Sequence, residues 1–87
     1  MIYYLLKKRV MKPDSTKHNP DPSYLKEVLE KSLDPQTGKP YSQRKAAKII
    51  GISERVMRYY FAEIDQEGYR PAPYPVQFAL ECLSKNN

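Results

Sequence analysis

SQRKAAKIIGISERVMRYY, residues 42–60, sets two short runs of helical spacing on either side of one glycine. Ser42 is placed to cap the first run, in which Ala46, Ala47 and Ile50 share an inner face while Arg44, Lys45 and Lys48 face solvent. Gly51 ends that run, because glycine enters the left-handed conformation that closes a helix without steric cost. Ser53 follows at once and is placed to cap a second run, whose inner face is Val56, Met57 and Tyr60, with Phe61 or Ile64 extending it. A connection this tight keeps the two helices from running antiparallel, so the spacing predicts a helix-turn-helix. Ala47 is then the small side chain at the crossing, and Ala46, Ile50, Ile52, Met57 and Tyr60 close a small core around it.

The flanking sequence supplies two more helices. Asp21-Pro22 reads as a cap with proline at the first helical position, and Tyr24, Leu25, Val28, Leu29 and Ser32 recur on one face of a helix over about residues 22–32. LDPQTGKPY (33–41), with two prolines and a glycine, reads as an exposed loop. After the helix-turn-helix, DQEGYRPAPY (65–74) is a turn and extended connector. Pro75 then opens a last helix, VQFALECLS, with Val76, Ala79, Leu80 and Leu83 in one stripe widened by Phe78 and Cys82. The expected fold is a small all-α domain of about four helices, built on a helix-turn-helix of the lambda-repressor type. Residues 20–87 form its folded part, and residues 1–19 form a basic amino-terminal arm.

Size and composition narrow the function. A chain of 87 residues has one small core, and its helical apolar residues are needed to build it, with little left to line a deep substrate cavity. His18 is the only histidine and Cys82 the only cysteine. Acid–base or nucleophilic chemistry usually needs a second positioned partner, so no enzyme activity and no cofactor are expected. Cys82 reads as a small buried hydrophobe. No apolar run approaches the roughly 20 residues of a membrane span. In MIYYLLKKRV (1–10) the charges follow the apolar stretch, the reverse of a secretory signal, which points to the cytoplasm.

Charge is uneven along the chain. Residues 42–60 carry five basic side chains against Glu54, and residues 1–19 carry five against Asp14, whereas the remainder is slightly acidic. A basic face on a small domain is the footprint of a polyanion binder, although a charge run is also what any solvated helix face shows. With the inner faces assigned, the residues pointing outward from the second helix of the pair are Ser53, Glu54, Arg55, Arg58 and Tyr59, the positions that enter the major groove when such a helix docks on DNA. Arg55 is placed for a bidentate contact to guanine, and Arg58 for a second base or a phosphate. Gln43, Arg44 and Lys45 at the start of the preceding helix would meet the sugar–phosphate backbone. Glu54 either accepts from cytosine or complements the helix dipole. Of the tyrosine pair, Tyr60 reads as core and Tyr59 as exposed or interfacial. A single unit binds few base pairs, so a two-fold dimer contact is expected from the last helix, through Tyr74, Val76, Phe78, Leu80 and Leu83.

SQRKAAKIIGISERVMRYY followed by EGYRPAPYPVQFALECL resembles the small anti-CRISPR-associated (Aca) repressors of phages and mobile elements, and HNPDPSYL is similar to their amino-terminal segment. The resemblance covers about residues 13–84. It implies a homodimeric autorepressor that binds an inverted repeat in the promoter of an anti-CRISPR operon, with DNA-contacting side chains at Arg44, Lys45 and Arg55. Lys45 stands where the family pattern has arginine, which weakens the expectation of a bidentate contact but not of a phosphate contact. MIYYLLKKRV and the longer loop from Leu33 to Tyr41 are further departures. Two alternatives remain at this level. VMRYYFAEIDQEGYRPAP also looks like the recognition helix and following segment of MerR-type regulators, although no residues remain for their β-wing. The apolar last helix would also suit a protein-interaction module.

Overall fold

Side-chain caps set the first three helices. In the computed structural model, which describes residues 12–85, the Asp21 carboxylate accepts from the Ser23 amide and α1 runs over Pro22–Glu30. Ser42 Oγ accepts from the Lys45 amide to open α2, Gln43–Ile50. Ser53 Oγ accepts from the Val56 amide to open α3, Glu54–Phe61. The last helix, α4, spans Tyr74–Lys85, so it begins one residue before Pro75. A single 3-10 turn at Ser15–Lys17 precedes α1. The domain is small and all-α, with four α-helices among the described residues. No helix among them is long and apolar enough to cross a membrane.

The turn between α2 and α3 closes as the glycine requires. Gly51 has φ +88°, and the amides of Gly51 and Ile52 both donate to the Ala47 carbonyl, at 2.9 and 3.0 Å. This left-handed closure satisfies a carbonyl that the helix end leaves unpaired and aims α3 across α2. Among the described residues, nothing lies within 4 Å of where a Cβ on Gly51 would sit. Gly51→Ala should therefore cost backbone strain alone, roughly 1–2 kcal/mol, and Gly51→Asn less, because asparagine tolerates this conformation. Urea unfolding midpoints measure both, and an alanine variant as stable as the parent would remove the left-handed closure from the account.

Helices of eight or nine residues are marginal in isolation, and their stability here comes from burial. Leu25, Val28 and Leu29 from α1, Ala46 and Ala47 from α2, Met57 and Phe61 from α3, Ala72 from the connector and Leu80 from α4 make one core. Tyr41, Ile50, Ile52, Tyr60, Val76 and Leu83 pack around it, half-buried. The two alanines let α2 lie directly on α3, as the spacing predicts. Phe61, not Ile64, completes the α3 face: Phe61 is 4% exposed and Ile64 is 61%. Ile64 lies beyond the end of the helix, where the backbone at Ala62 has already turned extended.

Four expectations need correction. First, α1 ends at Glu30, and Ser32 is buried just beyond it, its hydroxyl donating to the Val28 carbonyl at 2.9 Å. Second, residues 33–41 are not a simple exposed loop, because a bridge between Leu33 and Pro40 closes them and Asp34 is buried at their centre. Third, Cys82 is only half-buried, while the polar Gln77 is the α4 residue that joins Leu80 inside.

Fourth, residues 14–19 of the expected arm are held against the helical domain. Gln77 is 1% exposed. Its Oε1 accepts from the Asn19 amide at 2.7 Å, and its Nε2 donates to the Lys17 carbonyl at 3.0 Å and to Glu81 Oε2 at 3.1 Å. The Asp14 amide donates to the Tyr74 hydroxyl at 2.8 Å, and the His18 ring donates from Nε2 to the Ala72 carbonyl at 2.7 Å. Residues 14–19 thus belong to the folded unit; residues 1–11 of the expected arm lie outside the described residues. Glu81 also accepts from the Tyr24 hydroxyl, and that bond pushes the Tyr24 phenol up to about 12. The raised value means that this contribution to stability is complete below pH of roughly 10 and fades as pH climbs through the folded value.

Candidate nucleic-acid interface

The buried side chains of α3, Met57 and Phe61, fix which arc of the helix faces outward. Glu54, Arg58, Arg55 and Tyr59 then follow one another around an exposed arc of about 140°. Glu54, Arg55 and Arg58 are exposed, as is Ser53, whose hydroxyl is committed to the cap. Tyr59 is half-buried, its ring beside Gly68 and its carbonyl accepting from the Arg70 amide at 3.1 Å. The returning connector therefore covers one edge of the α3 arc.

Arg44 is brought to this arc from α2. Its Nε lies 3.7 Å from Glu54 Oε2, and Arg58 NH1 lies 3.4 Å from Glu54 Oε1. One carboxylate thus joins the exposed faces of both helices. Lys48, one turn beyond Arg44, adds a further exposed cation on the same side of α2. Arg55 makes no ion pair among the described residues, and its guanidinium stands open to solvent. Gln43 is half-buried at the start of α2.

Lys45 is placed differently from the solvent-facing position expected of it. It points to the 33–41 loop, where its ammonium bonds the Asp34 carboxylate, donates to Gln36 Oε1 at 3.2 Å and sits 5.6 Å from the centre of the Tyr41 ring. Asp34 in turn accepts from the Gln36 amide at 2.9 Å and, through its carbonyl, from the Gly38 amide at 2.7 Å. The loop is therefore fastened to the amino end of α2, which explains how nine residues without helix hold a defined shape. The Lys45 hydrogen bond, helped by the Gln36 amide, holds the Asp34 carboxyl below its ordinary range.

That depression has a sign. The unfolded carboxyl takes up its proton at roughly pH 4, while the folded one resists it, so the stability Asp34 supplies is present above that value and lost as pH falls through the folded value. Asp34→Asn is expected to lower the denaturation midpoint at pH 7 and to approach the parent as the pH is taken down toward 3. A deficit of constant size across that range would exclude the ion pair as its cause.

The expected dimer contact also changes. Leu80 is 0% exposed and lies in the core of the single chain, so it has no surface to offer a partner. Val76 and Leu83 are half-buried against the same core. Tyr74 and Phe78 are half-buried, with ring centres 6.0 Å apart, and Tyr74 also meets the His18 ring edge-on. The stripe is broad because α4 packs on both α1 and α2.

Asp34 and Gln77 escaped the sequence reading. Asp34 had a local signal, an aspartate before proline with glycine four residues later, which is the chemistry of a side-chain-stabilised turn. Gln77 had only its position, one turn before Leu80 on the apolar face. Among the described residues, no cluster of three His, Cys, Asp or Glu side chains is arranged to hold a metal ion. The chain matches no protein-family model, and no curated protein is significantly similar to it.

Proposed function

We propose that the chain is a sequence-specific binder of double-stranded DNA that represses transcription, with α3 in the major groove and the amino end of α2 on the phosphate backbone. The observation that carries the reading is the shared cationic surface: Arg44 from α2 and Arg58 from α3 meet at Glu54, with Arg55 exposed beside them. A helix-turn-helix presents this surface to a duplex. Arg55 reads a guanine edge, Arg58 a base or phosphate, and Arg44 and Lys48 the backbone. Lys45 holds the loop that frames α2. On this reading the protein acts in the cytoplasm as a homodimer on an inverted repeat, with a contact that includes Phe78 and Tyr74. The likeness to anti-CRISPR-associated repressors extends the proposal to an operon of that kind, controlled together with the repressor's own gene.

The test is binding to duplex DNA over a series of salt concentrations. Log affinity should fall linearly with log salt, by about 0.9 for each phosphate neutralised, and a footprint upstream of the chain's own gene should show two half-sites related by a two-fold axis. Failure to bind any duplex at low salt would end the proposal. The interaction-module alternative is weakened by the burial of Leu80. The MerR-like one is weakened because coil and turn, not paired strands, follow α3 among the described residues.

A further inference from the structure

A carboxylate at the middle of a cationic surface calls for a reason. Glu54 lies in the first turn of α3, and its two oxygens engage arginines from different helices, Arg44 at 3.7 Å and Arg58 at 3.4 Å. The side chains of Arg44, Arg58 and Glu54 are 83%, 61% and 48% exposed, so these pairs add little to folding stability. Glu54 lies one turn before Arg58 on the same face of α3, and it complements the positive end of that helix. Any acidic residue early in α3 would do the latter. What is particular to Glu54 is that it occupies the guanidinium groups best placed to grip phosphate.

We propose that Glu54 is a specificity-determining residue that lowers binding to DNA of arbitrary sequence, a role that rests on the DNA-binding reading above. Phosphates are the same on every sequence, so an approaching backbone always has to displace the carboxylate from Arg44 or Arg58 or sit against its negative charge. That opposition is offset only where the groove offers the carboxylate a hydrogen-bond donor. Among base edges in the major groove, the cytosine and adenine amino groups are the donors, and cytosine pairs with acidic side chains. Glu54 therefore discriminates in two ways: it releases its arginines reluctantly everywhere, and it regains a partner at a matching base pair. Arg55, outside the cluster, is left to make its own base contact.

The experiment compares the full chain with Glu54→Gln, which keeps the shape and removes the charge. Tight sites are first selected from a pool of random duplexes with the parent protein; binding to a selected site and to a random duplex is then measured at several salt concentrations. Glu54→Gln should bind random duplex about two- to five-fold more tightly, the scale of one exposed ion pair. The ratio of selected-site to random-duplex affinity should fall about tenfold, as loss of one base contact allows. Equal weakening on both duplexes would overturn the proposal, because the carboxylate would then merely position the arginines. Unchanged affinities on both would overturn it too. If the parent binds no duplex even at low salt, the DNA-binding reading fails and takes this role with it, whereas a parent that binds and a variant with an unaltered ratio reject Glu54 alone. Thermal melting of the variant should stay cooperative and fall by only a few degrees, the loss of one helix-end charge, which separates these outcomes from misfolding.

Discussion

Leu80→Ala is expected to destabilise the fold by about 2–5 kcal/mol, the range for emptying a fully enclosed leucine site. The side chain is 0% exposed, one of the largest in the core, and it lies where α4 closes over α1 and α2. A domain of this size holds only about 5–15 kcal/mol in total, so the variant should melt far below the parent. The same residue at a subunit contact would behave otherwise. Its loss would then grow as the protein is diluted, because association would be what had weakened. For a core residue, the difference between Leu80→Ala and the parent is the same at every protein concentration. Phe78→Ala is the counterpart, expected to cost the fold less and to lower self-association. A concentration-dependent deficit for Leu80→Ala would instead place that residue at a contact between subunits.

Arg55→Ala should cost about 1–3 kcal/mol of affinity for the preferred site and little for random DNA, since a bidentate arginine contact is read at base edges. The structure makes this a clean substitution: Arg55 has no ion pair among the described residues, so its removal orphans no carboxylate. Arg44→Ala differs. It frees one oxygen of Glu54 and, on the proposed function, removes a phosphate contact, so it should weaken binding on all sequences while flattening the salt dependence by about one phosphate. Equal losses on preferred and random DNA for Arg55→Ala would remove its base-reading role.

How far the sequence reached is clearest at α2 and α3. Both serine caps, the glycine closure and the inward alanines are local features, decided within one helical turn, and each was legible from spacing alone. The limits lay in contacts between distant segments. Lys45 has the same spacing relation to solvent as Arg44, and only the fold of residues 33–41 brings Asp34 to it. Leu80 and Phe78 belong to one apolar stripe, and which of them faces inward depends on where α1 lies across α4. Helical period ranks the faces of a helix but does not measure how wide a neighbour will cover, so the broad stripe read as surplus. For the same reason the α3 face ended at Phe61: periodicity continues to Ile64, but the helix does not.

The buried amide of Gln77 ties the stretch just before α1 to the last helix. Its partners lie 58 and 60 residues earlier, at Asn19 and Lys17, so peeling that segment off the surface exchanges two intramolecular hydrogen bonds for bonds to water, at a net cost of about 0.5–1.5 kcal/mol each. Fraying at the front therefore loosens α4 at the back. A chain without residues 12–19 would keep the buried apolar residues of the core and still uncover the polar side of α4 at Gln77.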